Sequence, residues 1–223
     1  MRLFEKIFRT GSSLKDIEYL ISFPQKYENN NKWYWPMILY LHGTMTKSTK
    51  IDNLKSNGIP KVVSEMEDFP FITVSPMCPF ETIWSDLFAE INKMMTFIKN
   101  TYRVSDIYLT GYDMGGHGVW MTASYYPKMF TAIAPVSSGP IQKEHIDSIV
   151  SSLLNVPVLV YHGRKDQIVP LKEALEIPVK IRDKGGDINV KLFDNLGHNC
   201  CMKAYTDPEL YEWFISHHKT END

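Results

Sequence analysis

The segment Tyr108-Leu109-Thr110-Gly111-Tyr112-Asp113-Met114-Gly115-Gly116-His117-Gly118 constrains this chain more than any other. An apolar run leads into Gly-x-Asp-x-Gly, and a helix-compatible stretch follows. Glycines at 111 and 115 permit a turn too tight for a Cβ. Such a turn lifts residue 113 above the end of a strand and seats it at a helix N-terminus. There the Met114 N–H and the positive end of the helix dipole face the reacting centre. Strand, sharp turn and helix in this order make a nucleophile elbow with aspartate as its central residue. The glycines also invite comparison with a nucleotide-binding loop. However, the run lies mid-chain with no Gly-x-Gly-x-x-Gly and no phosphate-binding lysine, which excludes a Rossmann or flavodoxin-like domain.

The rest of the chain alternates strand-like and helix-like segments, the pattern of a mostly parallel sheet with helices on both faces. Strands are predicted at Asp16–Phe23, Pro36–Leu41, Phe71–Ser75, Asp106–Thr110, Ala132–Val136, Pro157–Tyr161 and Ile188–Phe193. A helix over 85–100 places Leu87, Ile91, Met94 and Ile98 on one face. Further helices are predicted from Gly115 to Tyr126, over Gln142–Leu154, over Pro170–Arg182, and from Asp207 as N-cap with Pro208 in the first turn to about His217. Asn29-Asn30-Asn31 reads as a polar turn, and the tail after His218 as frayed. Without repeats or a linker, residues 1–223 read as a single domain.

Composition narrows the class. Of 223 residues, 43% are hydrophobic and 22% charged, enough to build a core without disulfides or metal. A net charge of −2 gives no footprint for nucleic acid or an anionic membrane. Cys78, Cys200 and Cys201 are an odd set with no Cys-x-x-Cys, so neither a disulfide framework nor a zinc knuckle is expected. No apolar leader or spanning stretch is seen, and the expected setting is cytoplasmic.

Two further segments complete a reaction centre in the chain order nucleophile, acid, histidine. His162-Gly163-Arg164-Lys165-Asp166 follows one strand, and Asn195-Leu196-Gly197-His198 follows another. Both loops then lie at the carboxyl edge of the sheet. Asp166 would orient the imidazole, and His198 would move protons. An oxyanion site needs a second backbone donor beside Met114. Thr44, or less readily Met45, supplies it after Tyr40-Leu41-His42-Gly43. His42 is read as a brace for that loop, His117 as packing on the elbow helix, and His162 as a strand-end residue. Met45 and Trp84 are the candidates for lining a substrate pocket.

These segments resemble the esterase and phospholipase-carboxylesterase-like branch of the α/β-hydrolases, near dienelactone hydrolases and polyhydroxybutyrate-depolymerase-type esterases. The likeness runs through Trp35-Pro36-Met37-Ile38-Leu39-Tyr40-Leu41-His42-Gly43, Val74-Ser75-Pro76-Met77-Cys78-Pro79, the elbow and Phe130-Thr131-Ala132-Ile133-Ala134-Pro135-Val136. It continues at His162-Gly163, Asp166, Gly197-His198 and Tyr205-Thr206-Asp207-Pro208-Glu209-Leu210-Tyr211-Glu212-Trp213. The resemblance implies an α/β-hydrolase fold, a small-molecule ester substrate and no cofactor or metal. It also implies serine in the elbow, or cysteine in dienelactone hydrolases, where this chain has Asp113.

Three functions remain open at this point. The first is a hydrolase of small acyl esters, weakened or altered by Asp113. The second is covalent use of Asp113 on an epoxide or haloalkane, through an alkyl-enzyme ester that His198-activated water cleaves. Enzymes of that kind carry a cap, and only 53 positions separate Asp113 from Asp166, too few for one. Tyr112, Trp84 and Trp120 are the candidate donors to a leaving group in its absence. The third is a catalytically inactive pseudo-hydrolase that binds a ligand. A capless site is expected to be shallow and open, suited to small or exposed ester groups.

Overall fold

The structure is a computed structural model that describes residues 2–11, 16–29, 32–47 and 50–219. Asn30 and Asn31 of the expected turn, and the tail from Thr220 onward, lie outside the described residues.

Among the described residues, eight strands form one sheet: β1 (Leu3–Phe8), β2 (Ile17–Ser22), β3 (Trp35–Leu41), β4 (Ile72–Pro76), β5 (Val104–Tyr112), β6 (Ala132–Val136), β7 (Val158–Gly163) and β8 (Ile188–Phe193). Their spatial order is β1-β2-β4-β3-β5-β6-β7-β8. From β4 to β8 every neighbouring pair is parallel, and β2 pairs antiparallel with both β1 and β4. The inner strands β3 to β7 are apolar on both sides because helices cover both faces. The two-residue side-chain period divides them cleanly. Met37, Leu39 and Leu41 join one core with Ile107, Leu109 and Ile133, while Ile38, Tyr40 and Tyr108 join the other with Ala132 and Ala134.

The first core is closed by α2 (Phe88–Thr101), α3 (Met114–Tyr125), α4 (Lys143–Ser152) and α6 (Glu176–Asp183). The second is closed by α1 (Gly58–Glu65), α7 (Cys201–Tyr205) and α8 (Pro208–Ser216). Asp207 caps α8 as expected, its carboxylate accepting from Glu209 N–H. The sequence reading had no counterpart for β1, α1 or α7. β1 is an edge strand whose side chains are mostly exposed, so it lacks a buried-strand pattern.

Two helices differ from expectation. The one expected over 85–100 begins at Phe88, because Trp84–Asp86 form a separate tight turn in which Asp86 accepts from Ile83 N–H at 3.0 Å. The one expected over Pro170–Arg182 is two pieces, α5 (Leu171–Ala174) and α6, meeting at Leu175. Pro178 explains the break. It has no N–H for the carbonyl four residues earlier, at Ala174, and its ring would strike that carbonyl in a continuous helix. The chain end is tied down as far as Lys219, whose N–H reaches Asp106 Oδ1 at 3.1 Å. Among the described residues, no helix is long and apolar enough to cross a membrane.

Candidate active site

β5 delivers Asp113 to the carboxyl edge of the sheet, and α3 starts at the next residue. The turn between them is strained: Asp113 has φ 56° and ψ −117°, a region that residues with a Cβ avoid. Three backbone hydrogen bonds hold it there. Asp113 N–H donates to Val136 O, and Asp113 O accepts from His117 N–H and Gly139 N–H. The flanking glycines are required by contact. A Cβ on Gly111 would lie 2.4 Å from Gly115 O, and one on Gly115 would lie 1.9 Å from Leu41 O. The elbow therefore packs against the end of β3 closely enough to bring the loop after β3 over residue 113.

That loop places the Thr44 N–H 2.9 Å from Asp113 Oδ2. The Met114 N–H, at the first position of α3, stands beside the same carboxylate and helps to lower its pKa. The carboxylate of residue 113 itself therefore takes up the Thr44 N–H. The other oxygen, Oδ1, lies 3.3 Å from His198 Nε2.

His198 and Asp166 come from the loops after β8 and β7. These loops are locked together. Gly163 sits so close to the histidine loop that a Cβ would be 2.1 Å from Gly197 O, and Lys165 N–H donates to Leu196 O at 2.9 Å. His198 Nδ1 then meets Asp166 Oδ2 at 2.8 Å. Asp166 Oδ1 accepts from Ile168 N–H and Val169 N–H, both at 2.9 Å, so the buried carboxylate is fully used. His162 lies beneath, its Nε2 3.0 Å from Val169 O and 3.4 Å from Asp166 Oδ2. The structure thus brings Asp113, Asp166, His198, Thr44 and Met114 together in one site.

The charges follow from these contacts. The Asp113 hydrogen bond raises the His198 pKa; burial opposes it, and Asp166 adds to it. His198 therefore favours the imidazolium between two carboxylates. Burial alone would push the Asp113 carboxyl up, but His198 and the Thr44 and Met114 N–H groups outweigh it and hold it at about 2. Tyr112 packs its ring 5.5 Å from the His198 ring, and burial raises its phenol.

Other residues named from sequence fall around this centre. His42 is fully buried, with Nδ1 2.8 Å from Gly43 O and Nε2 accepting from Cys78 N–H at 3.0 Å. Burial lowers its pKa to about 4, so it is a neutral strut for the loop. His117 is half-buried on α3. Met45 is almost wholly exposed beside Thr44 and stands at the rim. Trp84 departs from the expected pocket wall: it is fully buried, donates to His42 O at 2.9 Å and packs where Gly118 leaves room. An indole has only one N–H, and here it supports the loop from below. Sequence reading also missed Ser137, a buried residue at φ 38° whose Oγ lies 3.0 Å from Cys200 Sγ and ties the histidine loop to β6. Among the described residues, no group of three His, Cys, Asp or Glu could hold a metal ion.

The model of the dienelactone hydrolase family matches residues 62–211, two thirds of the chain. The chain belongs to the dienelactone hydrolase family. That membership makes it a hydrolase on an α/β-hydrolase scaffold. A protein of Aquifex aeolicus (strain VF5), provisionally named carboxymethylenebutenolidase, is 22% identical over 188 residues, covering 75% of this chain and 77% of that one. The fold is shared with a thermostable esterase at TM-score 0.79 and 20% identity, over 97% of this chain and 63% of that one. It is shared too with Est1E from Butyrivibrio proteoclasticus at TM-score 0.71 and 15% identity, over 95% and 99%. The family match starts after the Thr44 loop but spans the elbow, Asp166 and His198.

Proposed function

We propose that this family member is a carboxylic-ester hydrolase of small acyl esters whose turnover is held down by Asp113. One observation carries the second half of that reading: Asp113 Oδ2 sits on the Thr44 N–H at 2.9 Å. An ester can be polarised only if its carbonyl oxygen takes that place. The substrate must first displace a carboxylate that also holds His198 by its other oxygen. Attack by Asp113 on an acyl carbon would give an anhydride, so the productive route for the native chain is slower. His198, once deprotonated, takes a proton from water, and water attacks the acyl carbon. The unpaired, buried cysteines suit the expected cytoplasmic setting.

The same contact favours a second reading. If Asp113 Oδ1 attacks an sp3 carbon of an epoxide or haloalkane, the carbon–oxygen bond breaks and the epoxide oxygen takes the His198 proton, or the carbon–halogen bond breaks and halide departs. The carbonyl oxygen of the new ester is then Oδ2, already on the Thr44 N–H. Water activated by His198 would attack Cγ and release the alcohol.

The deciding experiment compares p-nitrophenyl acetate and butyrate hydrolysis by the native chain and Asp113→Ser. A rise of orders of magnitude supports the ester reading. No rise, with turnover of an epoxide or haloalkane by the native chain and solvent ¹⁸O entering Asp113, replaces it by the second. Ligand binding with no turnover in either form leaves a pseudo-hydrolase.

A further inference from the structure

A groove of about 810 Å³ opens at the same edge of the sheet as Asp113, between α3, α4, α5 and α6. Its walls include Trp120, Ile141, Ile146, Val169, Leu175 and Ile177, together with lysines and glutamates of α4, α5 and α6. Pro178 breaks the helix at Leu175, where α5 and α6 meet, and Ala174, Leu175 and Ile177 on the two sides of that break line the groove. Trp120, Ile146, Val169 and Ile177 are buried, while Ile141 and Leu175 are half-buried at its mouth.

Two backbone groups fix the groove relative to the reaction centre. The N–H of its Gly139 donates to Asp113 O at 3.1 Å, and that of Val169 donates to Asp166 Oδ1 at 2.9 Å. The strand order sets its side. Thr44 reaches over from β3, one neighbour of β5, whereas the groove is built from the loops after β6 and β7 on the other side. A carbonyl oxygen on Thr44 and Met114 therefore points away from the groove. His198, which protonates the departing alkoxide, stands on the groove's side of the elbow.

Resting on the ester reading, we propose that this groove binds the alcohol half of the substrate, and that this half is an uncharged alkyl or aryl group of about six carbons or more. The acyl half stays small and the selectivity lies in the leaving group. Four added methylenes entering such a groove are worth roughly 10- to 100-fold in kcat/KM, at the low end of full burial.

Two measurements test it. N-phenyl-1-naphthylamine, an uncharged fluorescent probe, is titrated into the native chain, Leu175→Trp and Ile141→Trp. Binding to the native chain that weakens tenfold or more in both variants is expected. Equal binding in all three, or none, overturns the proposal. Asp113→Ser is then assayed on hexyl and ethyl acetate, with a hexyl preference of at least tenfold expected to collapse when Leu175→Trp is added. A preference that survives Leu175→Trp also overturns it. Should Asp113→Ser cleave neither acetate while probe binding still depends on Leu175, the ester reading fails and the groove remains a site for apolar ligands.

Discussion

Two loops at the carboxyl edge of the sheet each carry a histidine, and the two imidazoles are treated in opposite ways. His42, after β3, is sealed from water and satisfied by backbone groups, one as acceptor and one as donor. Burial keeps it neutral, and the nearby Lys47 charge works in the same direction. His198, after β8, is partly open and lies between two carboxylates. The first arrangement fixes a loop; the second stores a proton beside a reacting atom. A histidine's role is thus set by what its two nitrogens face.

The largest effect that could break this contrast is at Asp113. Asp113→Ser removes one carboxylate from His198 and frees the Thr44 N–H, so p-nitrophenyl acetate hydrolysis should rise on the order of 10³-fold or more. No rise in the assay would overturn the ester reading.

Next comes stability. His42→Ala leaves Cys78 N–H without its partner and a void beneath the loop, which should cost about 2–4 kcal/mol in urea unfolding. His198→Ala opens a partly exposed site to water but takes one partner from the buried Asp166 carboxylate, and should cost less, about 1–2 kcal/mol. Equal losses would show that both histidines are structural.

The pH dependence of stability sharpens the contrast, because the two signs oppose. His42 has a folded pKa near 4, below its unfolded value, so the unfolded chain binds the proton first. Stability should fall as pH drops from about 6.5 towards 4, by up to about 2–3 kcal/mol. His198 has a raised folded pKa, so its contribution is complete below about 6.5 and is lost as pH rises through that raised value. Urea midpoints from pH 4 to 9 should peak between the two windows. His42→Gln should flatten the acid side and His198→Gln the alkaline side; unchanged curves would refute both assignments.

The smallest effect is spectroscopic. In Asp113→Asn the His198 ring should titrate at lower pH than in the native chain, as seen in its imidazole NMR shifts. An unmoved titration would place the raised pKa on Asp166 alone.

Much of this was legible in the sequence because it rests on local rules. The elbow follows from two glycines around residue 113, and Asp166 and His198 from their places after apolar runs. The order in which strands alternate with helices gave the fold class. What was not legible depended on distant partners. β1 is held by β2 and shows no buried face, so its six residues look like a charged terminus. Pro178 was read through as part of one helix, although it has no N–H for the carbonyl of Ala174. Trp84 could be counted as a wall only until His42 O was seen to take its indole proton. The lodging of Asp113 Oδ2 on Thr44 is a meeting of residues 69 positions apart, which no spacing rule foretells.

On the ester reading, the carboxylate on Thr44 acts as an inhibitor that cannot be diluted. It is tethered beside its binding site, so its local concentration exceeds any that a dissolved ester reaches. Raising the ester concentration would therefore relieve it poorly, and free carboxylic acids, the products of ester cleavage, would find their place already taken. The native chain should be indifferent to product acids that would slow its serine variant.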